Sequence, residues 1–279
     1  SNHALAQGCT PVSGTTVTIT ETCTGLQISG DANVTINLGV TIDGRKNAVG
    51  TQDMTNGTIT NNGIFSAERQ NGFSNGRRNF SSVGGFITKL INTGTISSDK
   101  DTGIGNALGA TITSLTNTNT GIISADRDVG INNKGTIGTI TNSGTISATR
   151  SGGLRNFCCA TDSSATTSNI TTIINLFSGT ISADIDSGLL NIGIIGTITN
   201  SGTVSAGEQF GLHNFNSSST ITSLSNSGTI SAGTDFGLFN DGIIGTIKNS
   251  GIISAGNDFG ISNTGTITTL TNTGRIFAL

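Results

Sequence analysis

The side chains able to do chemistry in this chain return at fixed positions. Asp101, Asp128, Asp186, Asp235 and Asp258 share one repeat position, seven residues after a recurring glycine. Glu68, Asp99, Asp126 and Asp184 stand two positions earlier in their own repeats, and Arg69, Lys100, Arg127 and Arg150 lie between the two acidic positions. Stacked carboxylates can hold a hard cation such as Ca²⁺ through oxygen ligands. The same pattern also makes a solvated, self-paired edge of turns that discourages sideways strand pairing, and the calcium-binding nonapeptide repeat is missing. No metal and no cofactor are therefore expected. Acid–base catalysis on a sugar polymer needs one carboxylate pair set apart from its surroundings, whereas here the acids recur repeat after repeat. The two histidines are His3, in the leader, and His213, which reads as an exposed strand residue rather than a base. With no Ser-His-Asp order, metal-ligand cluster or phosphate loop, the chain is not expected to be an enzyme.

What positions these rows is a repeat. The glycine of an Asn-x-Gly signal sits at 63, 94, 121, 144, 179, 202, 228, 251 and 274, and the shortest interval is 23 residues. A fixed period of this size marks a solenoid. The first signal of each repeat is Asn-x-Gly-x-Ile-Ser-Ala, as in Asn142–Ala148. The second is Gly-Leu-x-Asn, as in Gly211–Asn214, and the third is Ile-x-x-Ile/Leu, as in Ile198 with Ile195 or Leu224 with Ile221. Three short strands per period, separated by Gly and Asn, predict an all-β, right-handed parallel β-helix. In this reading Gly supplies turn angles with positive φ and Asn tolerates them. Alternation points Ile146, Ala148, Leu212 and Ile198 inward, and Thr145 and Ser147 outward. The leucine-rich repeat, a rival solenoid, lacks its signature here.

Residues 1–7 read as a tag or signal-peptide remnant, with Ala4-Leu5-Ala6 in the form of a signal-peptidase site before Gln7. Residues 8–55 repeat poorly and are expected to form an N-terminal cap and irregular first coils, with short strands around Val17–Thr20, Leu26–Ile28 and Val34–Asn37. Cys9 and Cys23 bracket part of this region, and a bridge between them would fit an oxidising compartment. Cys158 and Cys159 are adjacent, and in a secreted protein a vicinal bridge between them is expected although strained, with free thiols as the alternative. Residues 56–279 are expected to be the regular β-helix.

The insertions depart from one corner. The spacing from the Asn of Gly-Leu-x-Asn to the next Ile-x-x-Ile/Leu is four residues at its shortest (Asn133 to Ile137) but 12 from Asn75 to Ile87 and 14 from Asn156 to Ile170. Loops 76–86 and 157–169 therefore hang on one edge, where solenoids commonly bind. They carry Arg77, Arg78, Phe80, Phe86, Phe157 and Asp162, and Phe215 begins a shorter loop at the same corner. Arg and Phe are frequent interface residues, and Arg77 with Arg78 could hold an acidic glycan or protein patch. The alternative is that the phenylalanines pack the loops back onto the rod.

Composition narrows the rest. The 279 residues include 41 Gly and no Trp or Tyr, 10% are charged, and the net charge is −3. No basic stripe spans the chain, so nucleic acid is not an expected partner. No apolar run reaches the ~18 residues of a spanning helix. The missing Trp and Tyr argue against a transmembrane barrel, which carries aromatic girdles. Outward Thr-x-Ser rows could order water as an ice-binding surface, but Ile122 and Ile252 interrupt one row and Ile174 and Lys248 another.

The runs Ile140–Ala148 and Ile198–Ala206, with Cys23-Thr24-Gly25-Leu26 and Asp31–Ile36, resemble the passenger repeats of bacterial type V (autotransporter) proteins over roughly residues 8–279. The resemblance implies an exported rod anchored at a Gram-negative cell surface through a C-terminal outer-membrane barrel of the same precursor. Passengers without a protease domain are commonly adhesins or self-association modules. The implied partner is a second copy of the chain, or a host glycan or matrix protein. A polysaccharide-degrading β-helix enzyme and a phage tailspike-like glycan binder remain as alternatives.

Overall fold

The computed structural model describes residues 7–76, 84–157 and 168–279. Among them the chain winds into three parallel sheets of eleven strands each, and every third strand joins the same sheet. We number the sheets by one coil. Sheet I contains Phe210–Asn214, sheet II contains Thr220–Asn226, and sheet III contains Thr229–Ala232, after which the chain re-enters sheet I at Phe236–Asn240. This is a parallel β-helix. No helix of the described residues is long and apolar enough to cross a membrane.

Register is held by like residues stacking on like. Thr145, Ile146, Ser147 and Ala148 lie over Thr180, Ile181, Ser182 and Ala183. The inserted residues do not shift it: Asn142 pairs with Asn175 although 33 residues separate them. The period-2 alternation sends Ile146, Ile198 and Leu212 into the interior, where all are buried. The interior is a continuous column of Ile, Leu and Val. Neighbouring coils complete one another's hydrogen bonds and buried faces, so the coil is not an independent unit.

Two expectations about the turns are corrected. The repeat asparagines are not left-handed turn residues. Among the described residues only Asp53 and Asn216 have positive φ without being glycine. The asparagines close the strands of sheets I and II and stack as two ladders, buried except at Asn263 and Asn272. One runs Asn61, Asn92, Asn117, Asn142, Asn175, Asn200, Asn226, Asn249, Asn272, each Nδ2 donating to the Oδ1 one coil on at 2.7–2.9 Å. The other runs from Asn75 through Asn106, Asn133, Asn156, Asn191, Asn214 and Asn240 to Asn263 over the same distances. Each Nδ2 also donates to backbone carbonyls at the bend, as Asn142 does to Gly144 and Thr180 at 3.1 Å. An amide has both donors and acceptors, so a stacked column of them satisfies itself and the corner carbonyls without water.

The repeat glycines are likewise not there for positive φ. A Cβ on Gly144 would lie 2.2 Å from the carbonyl oxygens of both Gly121 and Thr118. The bend presses each coil against the one before it, and only a residue without a side chain fits. Positive φ at glycine falls elsewhere, chiefly at Gly14, Gly25, Gly30 and Gly39 in the irregular start and at Gly57 just after it.

In that irregular start, Cys9 and Cys23 form a disulfide with their Cα atoms 5.0 Å apart. It ties the strand Cys23–Thr24 to residues 8–9, which also bridge through Gly8 and Thr24. The loop it closes spans a sequence separation of 14, worth about 3 kcal/mol as a constraint on the unfolded chain.

Candidate binding surface

Three corners connect the sheets, and the polar rows of the sequence fall on them. Asp101, Asp128, Asp186, Asp235 and Asp258 follow the coils along the turns from sheet III into sheet I. Asp128 pairs with Arg155 across 3.3 Å and accepts from Thr102 Oγ1 at 3.3 Å. Asp186 accepts from Ser187 Oγ at 3.0 Å. Farther out on the same turns, Asp99, Lys100, Asp126, Arg127, Thr149 and Arg150 line a shallow depression of about 550 Å³. Within the acid–base–acid pattern, Glu68 pairs with Arg69 at 3.3 Å. Among the described residues no three or more His, Cys, Asp or Glu side chains converge as a metal site would require.

The insertions sit on the corner from sheet I into sheet II. Arg77, Arg78, Phe80, Cys158, Cys159 and Asp162 lie outside the described residues, as do Ala4–Ala6. The described ends of the loops can be placed. Phe86 opens the sheet II strand Phe86–Asn92 and is 41% exposed. Phe157 follows the sheet I strand Gly152–Asn156, with the Arg155 guanidinium 5.6 Å over its ring. Phe215 occupies the corner two coils further on and is 45% exposed.

Phe215 is not isolated. Its ring meets His213 edge-on at 5.2 Å, and His213 leads into an aromatic strip on the outer face of sheet I. The strip arises from two register rows. Ser187, Phe210, Phe236 and Phe259 stack in one, and Leu190, His213, Phe239 and Ser262 in the other. Inward positions of the same strands are taken by Leu212 and Leu238, so the rings have only the outside to occupy. Ring centroids lie 6.0 Å apart for Phe210 and Phe236, 6.2 Å for Phe236 and Phe259, 5.5 Å for Phe210 and Phe239, and 5.0 Å for Phe236 and Phe239. Phe210 and Phe239 close on His213 at 4.3 and 5.1 Å.

His213 is therefore buried, with 7% of its surface exposed, and not the solvent-facing strand residue its alternation implied. Phe210 and Phe215 of its own coil and Phe239 of the next close over it. Its Nε2 has no hydrogen-bond partner and lies 3.5 Å from a carboxylate oxygen of Asp241. Burial lowers the His213 pKa from its ordinary 6.5, with Asp241 and Asp186 pulling the other way. Asp186 is raised above 3.8, chiefly by its own burial, against Ser187, His213 and Arg155. The signs of the two differ. A lowered histidine contributes stability in full above the unfolded value of 6.5, and loses it as pH falls through the folded value. A raised aspartate contributes below 3.8 and loses it as pH rises through its folded value. Replacing His213 with leucine, which copies Leu190 one coil earlier, is expected to reduce the drop in melting temperature between about pH 7.5 and about pH 5. Thermal melts of both proteins at the two pH values check it; equal drops would show that His213 does not charge at a cost.

Sequence reasoning looked to the loop corner and missed the strip beside it. The signal was present: Phe precedes the glycine of the second motif at 210, 236 and 259. Phe215 belongs to both sets. No known protein family, curated protein or solved structure matches this chain.

Proposed function

We propose that the chain is the exported β-helix rod of an autotransporter-type surface protein and acts as an adhesin or self-association module rather than as an enzyme. One observation carries this reading. A half-exposed aromatic strip, most open at Phe215 (45%) and Phe259 (63%), runs along one outer face of the rod, beside the corner from which the loops depart, and it takes no part in the interior column. Contiguous exposed apolar surface on a polar protein marks an interaction site. The Cys9–Cys23 disulfide accords with an oxidising, exported setting. The partner on this reading is a second copy on a neighbouring cell, or a host glycan or matrix protein. Anchoring would come from an outer-membrane barrel of the same precursor.

The test is display. Bacteria carrying the rod on a carrier barrel are mixed with differently labelled cells lacking it, and settling is followed together with retention on immobilised matrix proteins and glycans. Clumps of displaying cells alone support self-association, and retention on a coated surface supports adhesion to a foreign partner. Displaying cells that neither clump nor adhere would remove the proposal.

A further inference from the structure

We infer that the sheet I strip is a docking face for a Lys/Arg-rich polypeptide segment of a partner protein. This deepens the adhesive reading and rests on it. The first observation is the distribution of charge. Nine of the 13 Lys and Arg fall in residues 69–155, and none occurs from 156 to 247. That second stretch still carries Asp184, Asp186, Glu208, Asp235 and Asp241, and Asp258 follows it. The rod is thus electrically divided along its length, and its acidic part is the part that bears the rings.

The second observation is the placement of those carboxylates. Asp235 and Asp258 immediately precede Phe236 and Phe259, so they border the strip along the sheet III side. Glu208 and Asp258 are exposed there. On the opposite border, at the corner into sheet II, Asp241 takes a hydrogen bond from Thr264 and faces His213. The rings lie between two acidic margins. Phe259 is 63% exposed.

The third observation is His213. Its side chain is more than nine-tenths buried, and its Nε2 has no hydrogen-bond partner within range and faces an Asp241 carboxylate oxygen 3.5 Å away, so a polar group is built into the strip's floor beside the acidic margin. Buried polar atoms are rarely left so in a purely structural surface.

A cation fits this arrangement in both of its halves. A Lys or Arg stem lays methylene groups on the rings while its head stays in water or on a carboxylate. The head is also attracted to a ring face within ~6 Å. Successive ring centroids stand 6.0 and 6.2 Å apart, near the roughly 7 Å between alternate side chains of an extended segment, so a segment lying along the rod can set two or three such side chains on the rings and margins. An anionic lipid or a polyanionic glycan would meet only repulsion.

Fluorescence anisotropy of a labelled oligoarginine peptide with the purified rod tests this, with oligoglutamate and a neutral oligosaccharide as comparison probes. The rod is expected to bind the cationic peptide alone, more weakly as salt shortens the Debye length. Phe236→Ser with Phe259→Ser should weaken binding about tenfold. Phe259→Ser alone, at a ring mostly in solvent, should weaken it measurably without any question of folding. Asp235→Asn with Asp258→Asn should weaken binding and flatten its salt dependence. Asp99→Asn with Asp126→Asn removes the same charge from the other half of the rod and should change affinity less than about twofold. Equal losses in the two charge variants would reduce the effect to net charge and overturn the inference, as would phenylalanine variants that bind like the wild type, or preference for the oligosaccharide. Cells that still clump or adhere while the purified rod ignores the peptide would sink this inference and leave the adhesive reading standing. Failure of display itself would remove the reading.

Discussion

Asn142→Ala is expected to cost about 2–4 kcal/mol of stability, from lost buried hydrogen bonds and a small cavity. Asn142 accepts from Asn117 at 2.9 Å and donates to Asn175 at 2.8 Å, and also donates to the carbonyls of Gly144 and Thr180. Truncation leaves the Asn175 oxygen without its donor and two corner carbonyls without one of theirs. Asn142→Asp should cost more. It would place a buried acceptor, or a charge, against the same two carbonyls. The end of the ladder gives the control. Asn272 is exposed, accepts from Asn249, and donates only to its own Gly274. Asn272→Ala should therefore cost under about 1 kcal/mol. Urea denaturation measures all three. Equal costs at 142 and 272 would mean that the buried ladder contributes nothing beyond a surface contact.

Gly144→Ala is the second large effect, expected at about 3–5 kcal/mol, the range in which backbone itself must move. Its Cβ would meet two carbonyl oxygens at 2.2 Å. Those oxygens belong to the preceding coil, so relief requires prising coils apart. Gly25 provides the opposite case: its φ is +66° and nothing lies within 4 Å of an added Cβ. Gly25→Ala should cost only about 1 kcal/mol of backbone strain, and Gly25→Asn less, because Asn tolerates that conformation. Gly144→Asn should be as harmful as Gly144→Ala. Hydrogen exchange resolved by coil should show the damage at Gly144 spreading to both neighbouring coils, since stability in a solenoid is shared between nearest neighbours. A tolerated Gly144→Asn would restore the view of these glycines as left-handed turn residues.

The solenoid was legible because its causes are local and repeated. Ile146 and Ala148 alternate with Thr145 and Ser147, and that alternation alone assigns their faces. The two asparagine ladders and the crowded glycines were misread because the sequence shows one coil at a time. Asn-x-Gly within one coil has the composition of a turn. Its reason lies between coils, where Asn142 meets Asn175 and Gly144 meets Gly121. The candidate surface failed in the same way. The loops stand out as breaks in the period, so attention goes to Phe157 and Phe215. Phe210, Phe236 and Phe259 sit within the period at 26- and 23-residue spacing, and become one surface only once their strands are laid in register. The outward strand position of His213 implies exposure; the rings that bury it, Phe210 and Phe215 in its own coil and Phe239 in the next, lie on the same outer face.

The working surface, on this account, is the outer face of sheet I. The direct measurement is adhesion of displaying cells carrying Phe236→Ser with Phe259→Ser, set against cells carrying Thr203→Ala with Ser205→Ala on the outer face of sheet III. Both variants should reach the surface in equal amount. Clumping or surface retention is expected to be lost in the phenylalanine variant and kept in the sheet III variant. Full adhesion by the phenylalanine variant, with its display confirmed, would contradict it.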